Sequence, residues 1–195
     1  MPSRPARTIG TALAATLALA ALAGCGSTQD HSSMPGMTSS ASSAPSSAAQ
    51  GDVMFAQMMI PHHEQAIEMA DLALREEAQA SSEVRRLAMQ IRQAQDPEIA
   101  TMRRWLTSWG APTGGSMDHS MPGMMGTGDM DELEAATGEA FDRQWLTMMV
   151  AHHEGAVTMA RDVLSTTTDA EVRTLAQAVI DGQQKEIATM KDLLR

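Results

Sequence analysis

The amino-acid sequence predicts an all-α protein, a four-helix bundle made of two repeated helical hairpins. Three observations carry that expectation. Apolar residues recur at helical spacing from Asp52 onward, and no stretch alternates as a half-buried strand would. The string MMIPHHEQAIEMA at 58–70 returns as MMVAHHEGAVTMA at 148–160, offset by 90 residues. Likewise EVRRLAMQIRQAQDPEIATMRRWL at 83–106 returns as EVRTLAQAVIDGQQKEIATMKDLL at 171–194, offset by 88. Two copies of a helix pair joined by one long connection supply the parts of a bundle.

In chain order, residues 1–24 read as a lipoprotein signal peptide. Arg4 and Arg7 precede an uncharged apolar run from Ile9 to Ala23, too short for a comfortable membrane span and ending in small residues. Leu22-Ala23-Gly24-Cys25 resembles the bacterial lipobox, which makes Cys25 the lipidated residue and puts the domain in the cell envelope, outside the cytoplasm. An uncleaved signal anchor is the alternative. Cys25 is the only cysteine, so no intramolecular disulfide or thiolate cluster can form and soft-metal chemistry has to come from Met. Residues 25–51 are rich in Ser and Ala and read as a flexible tether. Removing residues 1–24 leaves 12 basic against 24 acidic residues. No Lys/Arg cluster offers itself to phosphates, so nucleic acid is excluded as a partner.

The first hairpin spans 52–108. At 100° per residue Phe55, Met59, Ala66, Ala70, Ala73 and Leu74 share one face, and His62 and His63 fall on it; Glu64 points outward. Its second helix carries Val84, Leu87, Ala88, Ile91, Ile99, Met102 and Leu106 on one stripe, with Gln95 and Glu98 in the middle. Buried polar groups need partners, and the facing imidazoles are the obvious ones. A carboxylate on one ring nitrogen orients a His and leaves the other nitrogen for a metal.

The connection, 109–138, contains MDHSMPGMM, and the tether contains the similar DHSSMPGM. Met117, His119, Met121, Met124 and Met125 in one, and His31, Met34 and Met37 in the other, read as a flexible arm of soft ligands; low-complexity linker is the bland alternative. Thioethers and imidazole favour Cu(I), and by the same chemistry Ag(I), whereas the Asp-His-Ser start suits Cu(II). The second hairpin, 139–195, repeats the first, and Thr168 with Glu171 reads as the capping box of its second helix.

Comparing the copies separates residues that drift from those that stay. Gln65/Gly155, Arg86/Thr174 and Asp96/Gln184 have diverged. Asp52/Asp142, His62/His152, His63/His153, Gln95/Gln183 and Glu98/Glu186 are unchanged, as are Met58/Met148, Met59/Met149, Met69/Met159 and Met102/Met190. A single Met at helical spacing is ordinary core filler. The recurring His pairs with flanking Met instead make a candidate metal-ligand set, with Gln95, Glu98, Gln183 and Glu186 supporting it. Protons compete for His but not for thioethers, so affinity in the bundle is expected to fall below about pH 6.

The His-His-Glu-x-Ala-x-x-Met-Ala segments, each followed by a Gln-x-x-Glu-Ile-x-x-Met helix, resemble the family catalogued as domain of unknown function 305, over about 52–195. That resemblance implies a ferritin-like four-helix bundle and a periplasmic copper-binding or copper-resistance role using His62, His63, His152, His153 and neighbouring Met. No Glu precedes any His by three residues, as di-iron bundles require, and His-Glu-x-x-His is absent. The reading is therefore a non-enzymatic envelope protein that buffers copper for tolerance or for delivery to an exporter or cuproenzyme. A metal-dependent redox bundle and a non-metal interaction lipoprotein are the competing readings.

Overall fold

The computed structural model describes residues 47–113 and 121–195. The segment read as a signal peptide, Cys25, and the candidate ligands His31, Met34, Met37, Met117 and His119 lie outside the described residues.

Five helices follow one another: α1 (Ser47–Leu74), α2 (Ser82–Ser108), α3 (Thr127–Ala135), α4 (Gly138–Thr166) and α5 (Ala170–Leu193). There is no strand among the described residues. The α1/α2 and α4/α5 hairpins meet along α1 and α4, which is the all-α bundle the repeats predict. Two details differ from expectation. Helix α1 begins at Ser47, inside the segment read as tether, and the short α3 interrupts the segment read as loop.

Each hairpin is closed by the same device. Arg85 of α2 donates to the Leu74 carbonyl (3.1 Å) at the end of α1, and its counterpart Arg173 of α5 donates to Thr167 O (2.6 Å) at the end of α4. Both satisfy carbonyls that a helix end leaves open, with a cation where the helix dipole favours one. Ser81 caps α2 by accepting from Val84 N (3.3 Å). The expected Thr168 capping box does not form. Asp169 caps α5 instead, accepting from Glu171 N (2.8 Å) and Val172 N (3.1 Å), and the Glu171 carboxylate is taken by the Trp105 indole N–H (2.9 Å).

Helices α1 and α4 run antiparallel. Trp145, near the start of α4, donates to Met69 O (2.9 Å) near the end of α1. Asp142 accepts from Ser81 N (3.1 Å), and Gly138 N donates to Ala78 O (2.8 Å), fixing the start of α4 on the turn between α1 and α2.

The apolar core is divided in two. One cluster joins Ala66, Met69 and Ala70 of α1 and Ile91 of α2 to Trp145, Met149 and Met190 of the second hairpin. The other joins Phe55, Met59 and Ile60 of α1 and Ile99 and Met102 of α2 to Val157, Met159 and Val179. On every long helix the residues between the two clusters are polar and buried: His62, His63 and Gln65, then Gln95, then His152 and His153, then Gln183. A polar layer thus crosses the middle of the bundle. Each large side chain in the flanking clusters contributes roughly 1.5–3 kcal/mol by leaving water, which holds the layer in place.

Candidate metal centre

The antiparallel packing of α1 on α4 brings equivalent residues of the two copies face to face. The His62 and His152 rings lie with centroids 3.8 Å apart, tilted by 39°. An approximate two-fold axis passes between them. On either side the outer histidines repeat one arrangement: His63 Nε2–H donates to Glu98 Oε2 at 2.8 Å, and His153 Nε2–H donates to Glu186 Oε2 at 2.8 Å. Because a carboxylate only accepts, the proton sits on Nε2 and the Nδ1 lone pair stays open. These are the pairings expected for Glu98 and Glu186. Glu64 and Glu154 form ion pairs on the outer surface with Arg103 and Lys191.

The inner pair is not symmetric. His62 Nε2–H donates to the Pro122 carbonyl (3.0 Å), whereas neither ring nitrogen of His152 has a hydrogen-bond partner of good geometry among the described residues, its ring lying against the His62 backbone. Also without one are Nδ1 of His62, His63 and His153, both amide atoms of Gln95 and Oε1 of Gln183. Burial pushes the His62 imidazole down from 6.5 to about 3, with the Pro122 carbonyl opposing and the neighbouring His63 and His153 rings assisting. Burial likewise holds His152 well below the usual imidazole range, and the rings of His62, His153 and His63 add to it. The inner pair is therefore kept as neutral free bases, the form that offers lone pairs to a metal.

The methionines bracket this layer. Met59, Met102 and Met159, with Met58 partly buried beside them, belong to one apolar cluster; Met69, Met148, Met149 and Met190 belong to the other. Each set mixes the two hairpins in the way the axis demands. Among the described residues no three His, Cys, Asp or Glu side chains come together as a metal site.

Loop residues 121–125 depart from the expected flexible arm. Met121, Met124 and Met125 are buried, and Met125 joins the core. Two residues that sequence comparison set aside as drifted make this docking possible. The Gln65 amide binds the Met125 backbone both ways, donating to its carbonyl (2.9 Å) and accepting from its N–H (2.8 Å). At the counterpart position, Gly155, an added Cβ would lie 1.9 Å from Pro122 O. At Gly123, with φ +79, an added Cβ would lie 2.5 Å from the Ala151 carbonyl oxygen. The signal lay in the divergence itself: one connection crosses one side of a two-fold bundle, so equivalent positions have to differ where it lands.

The family model described as domain of unknown function (DUF305) matches residues 52–194. The fold is similar to that of a DUF305 protein from Streptomyces coelicolor described as secreted, at 34% identity and TM-score 0.68, over 74% of this chain and 91% of that one. It is also similar to CopM in its Cu(II)-bound form, at 34% identity and TM-score 0.63, over 73% of this chain and 95% of that one. CopM is known as well in Cu(I)-bound, Ag-bound and apo forms. An uncharacterized protein of Acanthamoeba polyphaga mimivirus is 38% identical over 53 residues, and the match spans 35% of that relative's length.

Proposed function

The chain belongs to the DUF305 family, and from that premise we propose that it is a non-enzymatic copper-binding protein that holds Cu(I) in the middle of its bundle. The observation that carries this reading is the set of buried imidazole nitrogens without partners among the described residues, in a layer bracketed by thioethers. An unpaired polar atom in an apolar interior costs roughly 1–3 kcal/mol, and coordination of a soft ion removes that cost. Imidazole with thioether is the donor set that favours Cu(I) and Ag(I) over hard cations, and the related CopM is known with both ions. Burial opposes any charge, a cuprous ion included; the carboxylates of Glu98 and Glu186, hydrogen-bonded to the outer imidazoles, offset it.

The residues assigned to the metal are His62, His63, His152 and His153 with Met58, Met59, Met69, Met102, Met148, Met149, Met159 and Met190. Glu98 and Glu186 orient His63 and His153, and Gln95 and Gln183 are assigned to the same buried layer as supporting polar groups. Met121, Met124 and Met125, with Met117 and His119, supply further thioether and imidazole donors, as do His31, Met34 and Met37 of the tether. Lipid on Cys25 tethers the bundle to a membrane outside the cytoplasm. No helix among the described residues is long and apolar enough to cross one. Copper held here serves tolerance or delivery to an exporter or cuproenzyme.

Titration of apo protein with Cu(I) against a competing chelator tests this function. Wild type is expected to take copper, and His62→Gln with His152→Gln to lose at least tenfold in affinity, the scale on which even outer-shell changes act. Equal affinity in a variant that melts normally would remove copper from the inner pair.

A further inference from the structure

Two thioethers among the described residues stand apart from the buried set, Met54 and Met89, and only Met54 lies near the buried methionines and histidines of α1. Met54 is 57% exposed on α1, although exposure leaves its sulfur open to oxidation and gains nothing from packing. It lines a surface cavity of about 260 Å³ together with Met58, Met159, Phe55, Asp162 and Thr166. Three thioethers and one carboxylate therefore face the same open space, between the start of α1 and the end of α4.

Along α1 the residues Met54, Met58 and His62 follow at intervals of four, so consecutive side chains lie roughly 5–6 Å apart at Cβ on one face. Their exposure falls in that order, from Met54 at 57% through the partly buried Met58 to His62 at 0%. Soft donors thus run from solvent to the inner imidazole pair.

The other copy serves as an internal comparison. The counterparts of Met58 and Met159 are Met148 and Met69, both buried. The counterparts of Met54 and Asp162 are Gln144 and Leu72. The exposed sulfur and the carboxylate occur at one end of the two-fold and not at the other.

We propose that Met54, Met58 and Met159 form a solvent-open entry site for a soft monovalent cation, with Asp162 at its rim. Three thioethers suit a d¹⁰ ion such as Cu(I) or Ag(I). The carboxylate adds attraction without adding a hard ligand set large enough to hold Ca²⁺ or Mg²⁺, which take six or more oxygens or waters. This site rests on the copper reading of the interior and supplies the route into it.

The test is a titration of the full chain, labelled with ¹³C at the methionine methyls and the histidine rings, with silver(I) nitrate in chloride-free buffer. The methyl signals of Met54, Met58 and Met159 are expected to move together and at the lowest silver concentrations. Met54→Leu keeps the volume and removes the donor; it should raise the silver concentration needed by roughly tenfold. Met89→Leu, at an exposed methionine of α2 away from the cavity, should change nothing. If the Met54 methyl stays fixed while the interior imidazole signals shift, the entry site is refuted and the interior site stands. Movement of Met54 alone would mean an isolated surface thioether and would also refute it. Silence from both methyls and imidazoles would overturn the interior reading and the entry site with it.

Discussion

At Gly155 an added Cβ would meet the Pro122 carbonyl oxygen at 1.9 Å and Pro122 C at 2.5 Å, both backbone atoms with little room to give. Gly155→Ala is therefore expected to lift residues 121–125 off the bundle, at a cost of about 1–3 kcal/mol, the usual range for overpacking. Hydrogen exchange reads this directly: the Met125 N–H, held by Gln65 Oε1, should exchange much faster in the variant. Unchanged protection would show that the loop does not rest on that close approach. The inner histidines set a second expectation. Between pH 6.5 and about 3 an unfolded chain takes up a proton at His62 that the native state refuses. The folded state is therefore fully favoured above pH 6.5, and stability falls as pH drops through that window, by about 1.4 kcal/mol per pH unit for each such group. His152 acts in the same direction. Urea melts at pH 7 and pH 4.5 should show a smaller acid loss in His62→Gln than in wild type; equal losses would contradict neutral burial of His62. The ordinary imidazole range predicts copper release below about pH 6. Burial moves protonation of the native inner pair lower, so release on acidification should accompany loss of structure.

Helices α1 and α4 show what was legible at the scale of elements. Periodicity alone put both His pairs inward and aimed Glu98 at them, because 100° per residue fixes a face before any partner is known. The antiparallel crossing that brings His62 against its own copy His152 was not legible, since a repeat says which residues are equivalent and not which of them meet. Helix α3 was hidden inside a segment whose Gly, Pro and Met content reads as loop. Asp169 displaced Thr168 as the cap of α5 because Glu171, the other half of the expected box, is drawn to Trp105 across the bundle, a tertiary contact invisible to local pattern. The polar layer carries its own prediction. Glu98→Ala strands His63 Nε2–H in the interior and should cost about 1–3 kcal/mol. Glu186→Ala should cost a similar amount, given the matching 2.8 Å bonds. Chemical denaturation checks both, and a markedly unequal pair would mean the two-fold is only superficial.

For the whole molecule, two apolar clusters on either side of the polar layer mean that the fold does not wait for metal. The apo protein is expected to melt cooperatively, and copper at a hundredfold excess over its dissociation constant should add about 2.7 kcal/mol. An apo chain without a transition would make the ion structural, as in a zinc finger. The most direct test of the central claim is X-ray absorption at the copper edge of the Cu(I)-loaded protein. Nitrogen from the imidazoles and sulfur from the bracketing methionines should scatter together, and the nitrogen shell should weaken in the His62→Gln/His152→Gln variant, leaving only what His63 and His153 supply. A sulfur-only shell in wild type would contradict the account and return the paired imidazoles to the core.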